Sequence, residues 1–261
     1  MLLLTLISCS DYQKLLNSDD TSKKYKQAEV YYNSGEYRKA NRLFEQIIPK
    51  FRGKPQSQRI IFFFADSYFQ TKRYYLAANQ YQNFVKSYPK SDRIQEANFK
   101  AAKSYYYLSP RFSLDQEETY TAIEKLQVFI NLYPTSEYSV EANQLISELQ
   151  EKLEQKDFEI AKQYFKELNV EFKMPFSKNC SYHLYWIRVK KRKEFINKMK
   201  LKGIETGIHY NPVHLMTFYK KYGRRLPITE KISKEIVSIP IHPNLTQNDV
   251  DRVVTSINNI I

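Results

Sequence analysis

Alanines recur at a fixed interval in the first half of the sequence. Ala28, Ala65 and Ala102 are spaced 37 residues apart (65 − 28 and 102 − 65). Three residues after each of them comes a tyrosine: Tyr31, Tyr68 and Tyr105. A second set of small and aromatic residues follows within the first two units: Ala40, Phe44, Ala77 and Tyr81. Helices that cross closely need a small residue at the crossing and larger side chains around it. The spacing therefore predicts repeated units of two packed helices.

A helical pair at this interval is typical of tetratricopeptide repeats, which stack side by side into a curved rod. Gly35, in "NSGEY", is expected to form the turn within the first unit, and Pro89 is expected to follow the last helix of the second. The helical spacing of the aromatics favours a role in core packing for most of them. The functional alternative is a concave surface that binds an extended peptide.

The third unit contains an insertion. Its two alanines, Ala102 and Ala122, lie 20 residues apart (122 − 102) where the first unit has 12 (40 − 28). The stretch "SPRFSLDQEET" therefore predicts a polar loop between the two helices. A fourth unit is indicated by "SVEANQLISELQEKL", whose apolar residues share one helical face: Ala142, Leu145, Ile146, Leu149 and Leu153. "FEIAKQYF" is expected to begin the second helix of that unit.

The charge is distributed unevenly along the chain. From Glu167 onward there are 17 Lys and Arg against 8 Asp and Glu, so that this segment carries +9 of the total +13. All four histidines, His183, His209, His214 and His242, also follow that point. This change in composition predicts a domain boundary at about residue 167.

The amino terminus, "MLLLTLISCS", resembles a bacterial lipoprotein signal. Leu6-Ile7-Ser8-Cys9 fits the lipobox, in which a small residue precedes the cysteine that receives the acyl chains. Two or three acyl chains hold a protein firmly on a membrane. The alternative is an apolar cap on the first helix with Cys9 an ordinary thiol. We expect a signal over residues 1–9, a polar tether over 10–23 and repeats over 24–166, and no apolar run is long enough to span a bilayer.

Residues 1–166 resemble the BamD family, the outer-membrane lipoproteins of the β-barrel assembly machinery. The segments that carry the resemblance are the lipobox, "YKQAEVYYNSGEYRKANRLFEQIIPKF", "FFFADSYFQTKRYYLAANQYQNFVKSYPKSD", the long loop of the third repeat, and "LYPTSEYSVEANQLISELQEKLEQKDFEIAKQYF". The resemblance implies a periplasmic scaffold anchored to the outer membrane by lipid. It also implies two kinds of partner, unfolded barrel precursors and other subunits of the assembly complex. The similarity ends at about Phe165, before the family's last repeats.

The last third of the chain, residues 167–261, has the pattern of a small α+β domain. "SYHLYWIRV", "IETGIHY" and "IVSIPIHP" are predicted strands. "KKRKEFINKMKLKG" is a predicted basic helix that ends at Gly203, and "TQNDVDRVVTSINNII" is an amphipathic helix with Thr246 at its start and Asp249 in its first turn. The fold class expected for the whole chain is thus mainly α, a tetratricopeptide-type α-solenoid of about four helical pairs followed by this domain.

This tail resembles the carboxy-terminal small domain of DegT-type sugar aminotransferases, which use pyridoxal phosphate. The resemblance rests on "SYHLY" at 181–185, "GIETGIHY" at 203–210, Pro212 with His214, and "IPIHP" at 239–243. It implies that His183, His209 and Tyr210 lie on the substrate side. The Schiff-base lysine, the acid that pairs with the pyridinium nitrogen and the phosphate cradle belong to that family's large domain. We therefore expect a catalytically incomplete fragment with no cofactor.

Three weaker signals have simpler interpretations. The spacings of the four histidines match no short metal-ligand motif, so no metal is predicted. "RVKKRK" at 188–193 favours a solvated turn over nucleic-acid binding. Cys180 beside "SYH" is weak support for a nucleophile.

The hypothesis is thus a non-enzymatic, chimeric outer-membrane lipoprotein scaffold whose repeats bind peptide segments. Two alternatives remain open. One is a partial aminotransferase subunit that needs a separate large domain, and the other is a cytoplasmic repeat adaptor whose lipobox is accidental. An isolated small domain would also expose the apolar face that normally meets its large domain.

Overall fold

The structure is a computed structural model that describes residues 11–261, so the predicted lipidation site Cys9 lies outside the described residues. The first eight helices run as follows: α1 Asp11–Leu16, α2 Thr21–Asn33, α3 Tyr37–Phe51, α4 Ser57–Gln70, α5 Tyr74–Ser87, α6 Ile94–Leu108, α7 Glu117–Leu132 and α8 Ser139–Glu167. The remaining elements are β1 Tyr185–Arg188, α9 Arg192–Leu201, two short 3-10 helices at Val213–Leu215 and Lys220–Tyr222, α10 Pro227–Glu235, β2 Ile236–Ile239 and α11 Gln247–Ile260. The chain is mainly α, as predicted.

The chain divides into two compact units. The described residues up to Ser109 form the first together with Glu118–Ser147, and Pro110–Glu117 forms the second together with Glu148–Ile261. The boundary between the two units falls within α8, after Ser147. The charge composition of the sequence changes later, at Glu167, where α8 ends. The predicted boundary at residue 167 stays a prediction.

In the first unit, consecutive helices from α2 to α6 pack against each other along the chain. The pairs α2/α3, α4/α5 and α6/α7 correspond to the three predicted units. The turn inside the first pair contains Gly35 at φ +79°, and the equivalent position of the second pair, 37 residues later, is Lys72 at φ +60°. Both turns therefore use the left-handed conformation, which costs a residue with a side chain more than it costs glycine.

The alanines of the repeat are buried in the structure. Ala28, Ala40, Ala65, Ala77 and Ala122 have no exposed surface, and Ala102 is 4% exposed. Phe44, Tyr68 and Tyr81 are buried beside them, whereas Tyr31 and Tyr105 are half-buried. The core of the first unit is thus filled with aromatic rings packed between helices that approach over alanine.

The prediction of a second helix in the fourth unit is wrong. Helix α8 continues without a break from Ser139 to Glu167, so "FEIAKQYF" belongs to it. The sequence of this helix contains neither glycine nor proline, and its backbone has no local reason to turn. The predicted face is buried at Ala142, Leu145, Ile146 and Leu149, and Leu153 is half-buried.

In the second unit, β1 and β2 pair antiparallel, with Tyr185 opposite Ile239 and Arg188 opposite Ile236. Helices α9 and α11 pack on each other. Gly203 ends the first of them with φ +71°, and Thr246 and Asp249 form a capping box at the start of the second. These elements were predicted. The third strand was not found, because "IETGIHY" contributes only one bridge, between Gly207 and Ser238.

The core of the second unit includes the end of α8. Ile160, Ala161 and Tyr164 are buried in one cluster with residues of the two strands and of α9 and α11. The Tyr164 hydroxyl donates a hydrogen bond to the carbonyl oxygen of Pro240 at 2.7 Å. Helix α8 thus supplies apolar surface to the core of the domain that was predicted to begin at residue 167, where this helix ends. Among residues 11–261, no helix combines the length and the apolar character that a bilayer span needs.

Candidate functional site

The first helices of successive repeats are joined by ion pairs. Arg59 on α4 contacts Glu29 on α2, with 2.9 Å between Nε and Oε1. Lys100 on α6 contacts Asp66 on α4, with 2.6 Å between Nζ and Oδ1. Lys103 then contacts Glu141 at the start of α8, with 2.5 Å between Nζ and Oε1. We call these six residues, together with the rings of Tyr32 and Phe63, the first-helix surface.

Helical periodicity explains why these side chains share one face. On α4, Arg59, Phe63 and Asp66 are separated by four and three residues, and on α6 Lys100 and Lys103 are separated by three. Residues three and four apart lie above one another on a helix. The same face of each first helix therefore presents its polar groups to the next one.

Asp66 is the most buried member of this surface. Its side chain is 2% exposed and accepts hydrogen bonds from the hydroxyls of Tyr32 and Tyr81, each at 2.7 Å. Burial alone would raise the pKa of this carboxyl, but Lys100 and the two hydroxyls outweigh it and hold the pKa below the usual value. Asp66 is therefore charged at neutral pH, and it connects α2, α5 and α6 to α4.

Aromatic rings and cations alternate on the same face. Tyr32 stacks on Phe63 with 4.1 Å between ring centroids. The guanidinium group of Arg59 lies 5.2 Å from the centre of the Phe63 ring, and that of Arg93 lies 4.5 Å from the Phe62 ring. Arg59 remains 57% exposed and Glu141 44% exposed. Arg59 and Glu141 thus offer charged groups of both signs to a ligand, whereas the Phe63 ring is only 7% exposed.

The sequence-based reasoning found the alanines and tyrosines but missed this surface. Asp66 follows the apolar run "IIFFFA" directly, and an acidic residue inside a buried helix is a signal that a polar partner must exist. The sequence does not show which residues of other helices would supply it.

The second unit contains a cavity of about 530 Å³ lined by residues of the predicted substrate side. His183 and His209 both line it, as does His242, whereas the side chain of Tyr210 is 71% exposed and is not part of the lining. Two hydroxyl oxygens in the lining, Thr206 Oγ1 and Ser238 Oγ, are buried without a hydrogen-bond partner. Both oxygens are covered by neighbouring atoms, whereas the three histidines are among the groups that face the cavity directly.

The lining does not fit pyridoxal phosphate on its own. A cofactor of this kind needs a lysine for its aldehyde and an acid for its ring nitrogen. The residues that line this cavity include no lysine. Within residues 11–261, no three His, Cys, Asp or Glu side chains are grouped so that they could hold a metal ion.

Residues 142–258, which comprise most of α8 and nearly all of the tail, match the model of the DegT/DnrJ/EryC1/StrS aminotransferase family. Among solved structures, an aminotransferase TlmJ from Streptoalloteichus hindustanus is 25% identical over 46% of this chain and 34% of its own, with a TM-score of 0.41. PseC of Helicobacter pylori, an aminotransferase involved in the biosynthesis of pseudoaminic acid, is 23% identical over 47% of this chain and 37% of its own, with a TM-score of 0.40. The chain spans about a third of the length of these solved aminotransferases, so the match is to a fragment.

The front part matches the family model of YfiO, described as an outer membrane lipoprotein, over residues 17–170. Both predicted resemblances are therefore confirmed, and the two matches share residues 142–170, which include most of α8. The YfiO match covers more than half of the chain and contains the whole first-helix surface. The chain belongs to the YfiO family of outer membrane lipoproteins.

Proposed function

We propose that this protein is a lipid-anchored scaffold on the periplasmic face of the outer membrane, where it assists assembly of β-barrel proteins. Its repeats would bind extended segments of unfolded barrel precursors, and it would act with other subunits of the assembly complex. Membership in the YfiO family supports the location, and the first-helix surface is the observation that carries the binding role.

The chemistry of the first-helix surface suits an extended peptide. An unfolded chain offers backbone N–H and C=O groups along its whole length, and these pair with side chains of either charge. The surface carries cations and carboxylates from α2 to α8, of which Arg59 and Glu141 are the most exposed, together with the half-buried ring of Tyr32, which would accept an apolar side chain. Such a surface holds a backbone without requiring one sequence, which is what a scaffold for many precursors needs.

Photo-crosslinking tests this proposal. A photoreactive amino acid at Arg59 or Lys103 should form adducts with a urea-denatured barrel precursor added on dilution. The same probe at Asn83 on α5 or Gln127 on α7 is the matched control, because both are exposed on second helices of the repeats. Equal adduct yields at all four positions would contradict the assignment of the binding surface.

The lipid anchor needs its own experiment. Incorporation of labelled palmitate into the full chain, compared with Cys9→Ala, should be lost in the variant. Incorporation by neither protein would favour the cytoplasmic adaptor. Incorporation by both would place the acyl chain elsewhere.

The partial aminotransferase is a second candidate, favoured by the cavity that His183, His209 and His242 line. Spectral titration with pyridoxal phosphate tests it directly. We expect no absorbance band of an internal aldimine, because the cavity lining lacks the lysine that would form one. A band that saturates at one cofactor per chain would favour the enzymatic alternative, whereas a band that does not saturate would report Schiff bases on exposed lysines.

A further inference from the structure

An exposed segment of the second unit combines apolar side chains with positive charge. Every residue from Leu215 to Thr229 is exposed. Large apolar side chains at least 39% exposed recur through this region: Ile208, Tyr210, Val213, Leu215, Met216, Phe218, Tyr219, Tyr222, Leu226 and Ile228. A run of exposed apolar residues of this kind marks a surface that contacts another molecule.

The charge of this segment has one sign. Between Glu205 and Glu230 the sequence contains no acidic residue, and it contains four cations, at Lys220, Lys221, Arg224 and Arg225. None of the four takes part in an ion pair within residues 11–261. Arg225 nevertheless interacts electrostatically with the Glu230 carboxylate, so it is for Lys220, Lys221 and Arg224 that the counter-charge must come from solvent ions or from a binding partner.

The segment is held in place rather than trailing from the domain. The Glu230 carboxylate accepts a hydrogen bond from the backbone N–H of Leu226 at 3.0 Å, and it lies 3.4 Å from Nε2 of His214. Gly223 approaches the backbone of His214 so closely that an added Cβ would lie 2.7 Å from its carbonyl oxygen. The exposed residues thus lie on a loop that is closed at its base, where no side chain could replace the hydrogen of Gly223.

Aromatic rings and cations are already arranged together on this loop. The ammonium group of Lys221 lies 4.8 Å from the centre of the Tyr222 ring and 6.0 Å from that of Phe218. Phe218 and Tyr222 are nonetheless 72% and 71% exposed. Apolar rings beside ammonium groups are the composition of membrane-interface segments, in which the rings enter the headgroup region and the cations meet phosphates.

We propose that the loop from Ile208 to Ile228 binds the surface of an anionic phospholipid bilayer. Its positive charge complements the lipid phosphates, and a membrane lies next to any member of an outer membrane lipoprotein family. Aliphatic side chains such as Leu215, Met216 and Ile228 favour lipid over nucleic acid, because they gain by entering the acyl boundary but cannot stack on bases in the way that rings do. The loop is thus a second membrane contact, independent of the amino-terminal anchor.

Vesicle binding of the full chain tests this inference. The Cys9→Ala variant is the starting protein, so that no acyl chain contributes, and its binding is compared between phosphatidylglycerol-containing and pure phosphatidylcholine vesicles. The double change Lys220→Gln and Lys221→Gln should weaken binding to the anionic vesicles roughly thirtyfold, since each cation near such a surface adds about one kilocalorie per mole. The double change Phe218→Ser and Tyr222→Ser should weaken binding to a similar degree or more.

A matched control removes the same charge from another exposed site. Lys193 and Lys200 lie exposed on α9, where their charges would lie outside the membrane contact. The double change Lys193→Gln and Lys200→Gln should therefore change the affinity for anionic vesicles less than about threefold. An equal loss in both lysine pairs, or equal binding to neutral and anionic vesicles, would overturn the proposal.

Two other outcomes would identify a different partner. A sedimentation change from dimer to monomer in the Phe218→Ser and Tyr222→Ser protein, without a change in vesicle binding, would assign the loop to self-association. Binding of a single-stranded oligonucleotide that is lost with Lys220 and Lys221, without vesicle binding, would assign it to nucleic acid. Each of these results contradicts the membrane contact, and neither would affect the peptide-binding role of the repeats.

Discussion

The Nζ atom of Lys100 lies 2.6 Å from Oδ1 of Asp66, and this contact joins the first helices of two neighbouring repeats. The lysine is 23% exposed and the aspartate 2% exposed, so the pair is largely shielded from water. Asp66 also accepts hydrogen bonds from Tyr32 in the preceding repeat and from Tyr81 in its own. One carboxylate thus fixes the relative position of three repeats.

Asp66→Asn is expected to lower the free energy of unfolding of the first unit by about 2 kcal/mol, because it removes the more deeply buried of the two carboxylates that contact Lys100 and leaves only Glu96, at 3.0 Å. The matched control is Glu124→Gln, another change from acid to amide in the same unit. Glu124 is 66% exposed and pairs with Lys125 at 3.2 Å, so this change should cost less than about 1 kcal/mol. Chemical denaturation followed by circular dichroism measures both, and equal effects would contradict the role of Asp66.

The contribution of Asp66 should also depend on pH. Its folded pKa lies below the unfolded value of 3.8, so the ionised form is stabilised by folding. The stabilisation is complete above pH 3.8 and is lost as the pH falls through the lower, folded pKa. The difference in unfolding free energy between wild type and Asp66→Asn should therefore narrow below that pH, and a constant difference would argue against an ion pair.

The turns of the first two repeats allow a reciprocal test of backbone conformation. Lys72 adopts φ +60°, which a residue with a Cβ adopts only at a cost of roughly 1 kcal/mol. Lys72→Gly should therefore stabilise the first unit by up to about 1 kcal/mol, in spite of the greater entropy of glycine in the unfolded chain. Gly35→Ala is the converse change at φ +79°, where a Cβ would meet no atom within 4 Å, so that its destabilisation reports conformation alone. A melting temperature that changes in the same direction for both variants would contradict this explanation.

Ala77 tests the close approach of the repeat helices. It has no exposed surface, so Ala77→Leu should cost at least 1–3 kcal/mol through overpacking. Lys86→Leu introduces the same side chain at an exposed position of the same helix and should be nearly neutral. Thermal unfolding measures the melting temperature of each variant. Similar melting temperatures would mean that the helices are not closely packed at Ala77.

The sequence predicted those parts of the fold that depend on local periodicity. The alanine spacing defined three helical pairs, because close helix crossing requires a small residue irrespective of its neighbours. The helix end predicted before Phe158 was wrong, because it was inferred from the repeat pattern alone. No glycine or proline stands there to end the helix. The strand expected at "IETGIHY" failed because only Gly207 finds a partner on β2.

The candidate site could be predicted only in part. His183 and His209 were named from the family resemblance, and the structure places both at one cavity. The first-helix surface was not predicted, because Arg59, Asp66 and Lys103 acquire their partners from other helices. Sequence periodicity shows which face of a helix is apolar, but it does not show which charged residues meet across two helices.

Asp157 on α8 should make the second unit less stable as the pH rises, which is the opposite of the effect of Asp66. Its Oδ1 atom is buried without a hydrogen-bond partner, and burial raises its pKa from 3.8 to about 7 against the attraction of Lys156. Because the folded state holds the proton more tightly, the contribution of Asp157 to the stability of the second unit is largest below pH 3.8. This contribution declines as the pH rises towards 7. The loss should amount to about 1–2 kcal/mol, after allowance for solvent screening of a partly exposed group.

Asp157→Asn removes this titration and should leave the second unit more stable than wild type at pH 8, with the advantage disappearing near pH 4. Trp186, the single tryptophan of the chain, lies on β1 in the second unit, so its fluorescence follows the unfolding of that unit. Glu151→Gln, at an exposed position of the same helix, is the control and should leave the pH profile of wild type unchanged. Parallel profiles of Asp157→Asn and wild type from pH 4 to 8 would mean that folding does not raise the pKa of Asp157, and they would contradict this prediction.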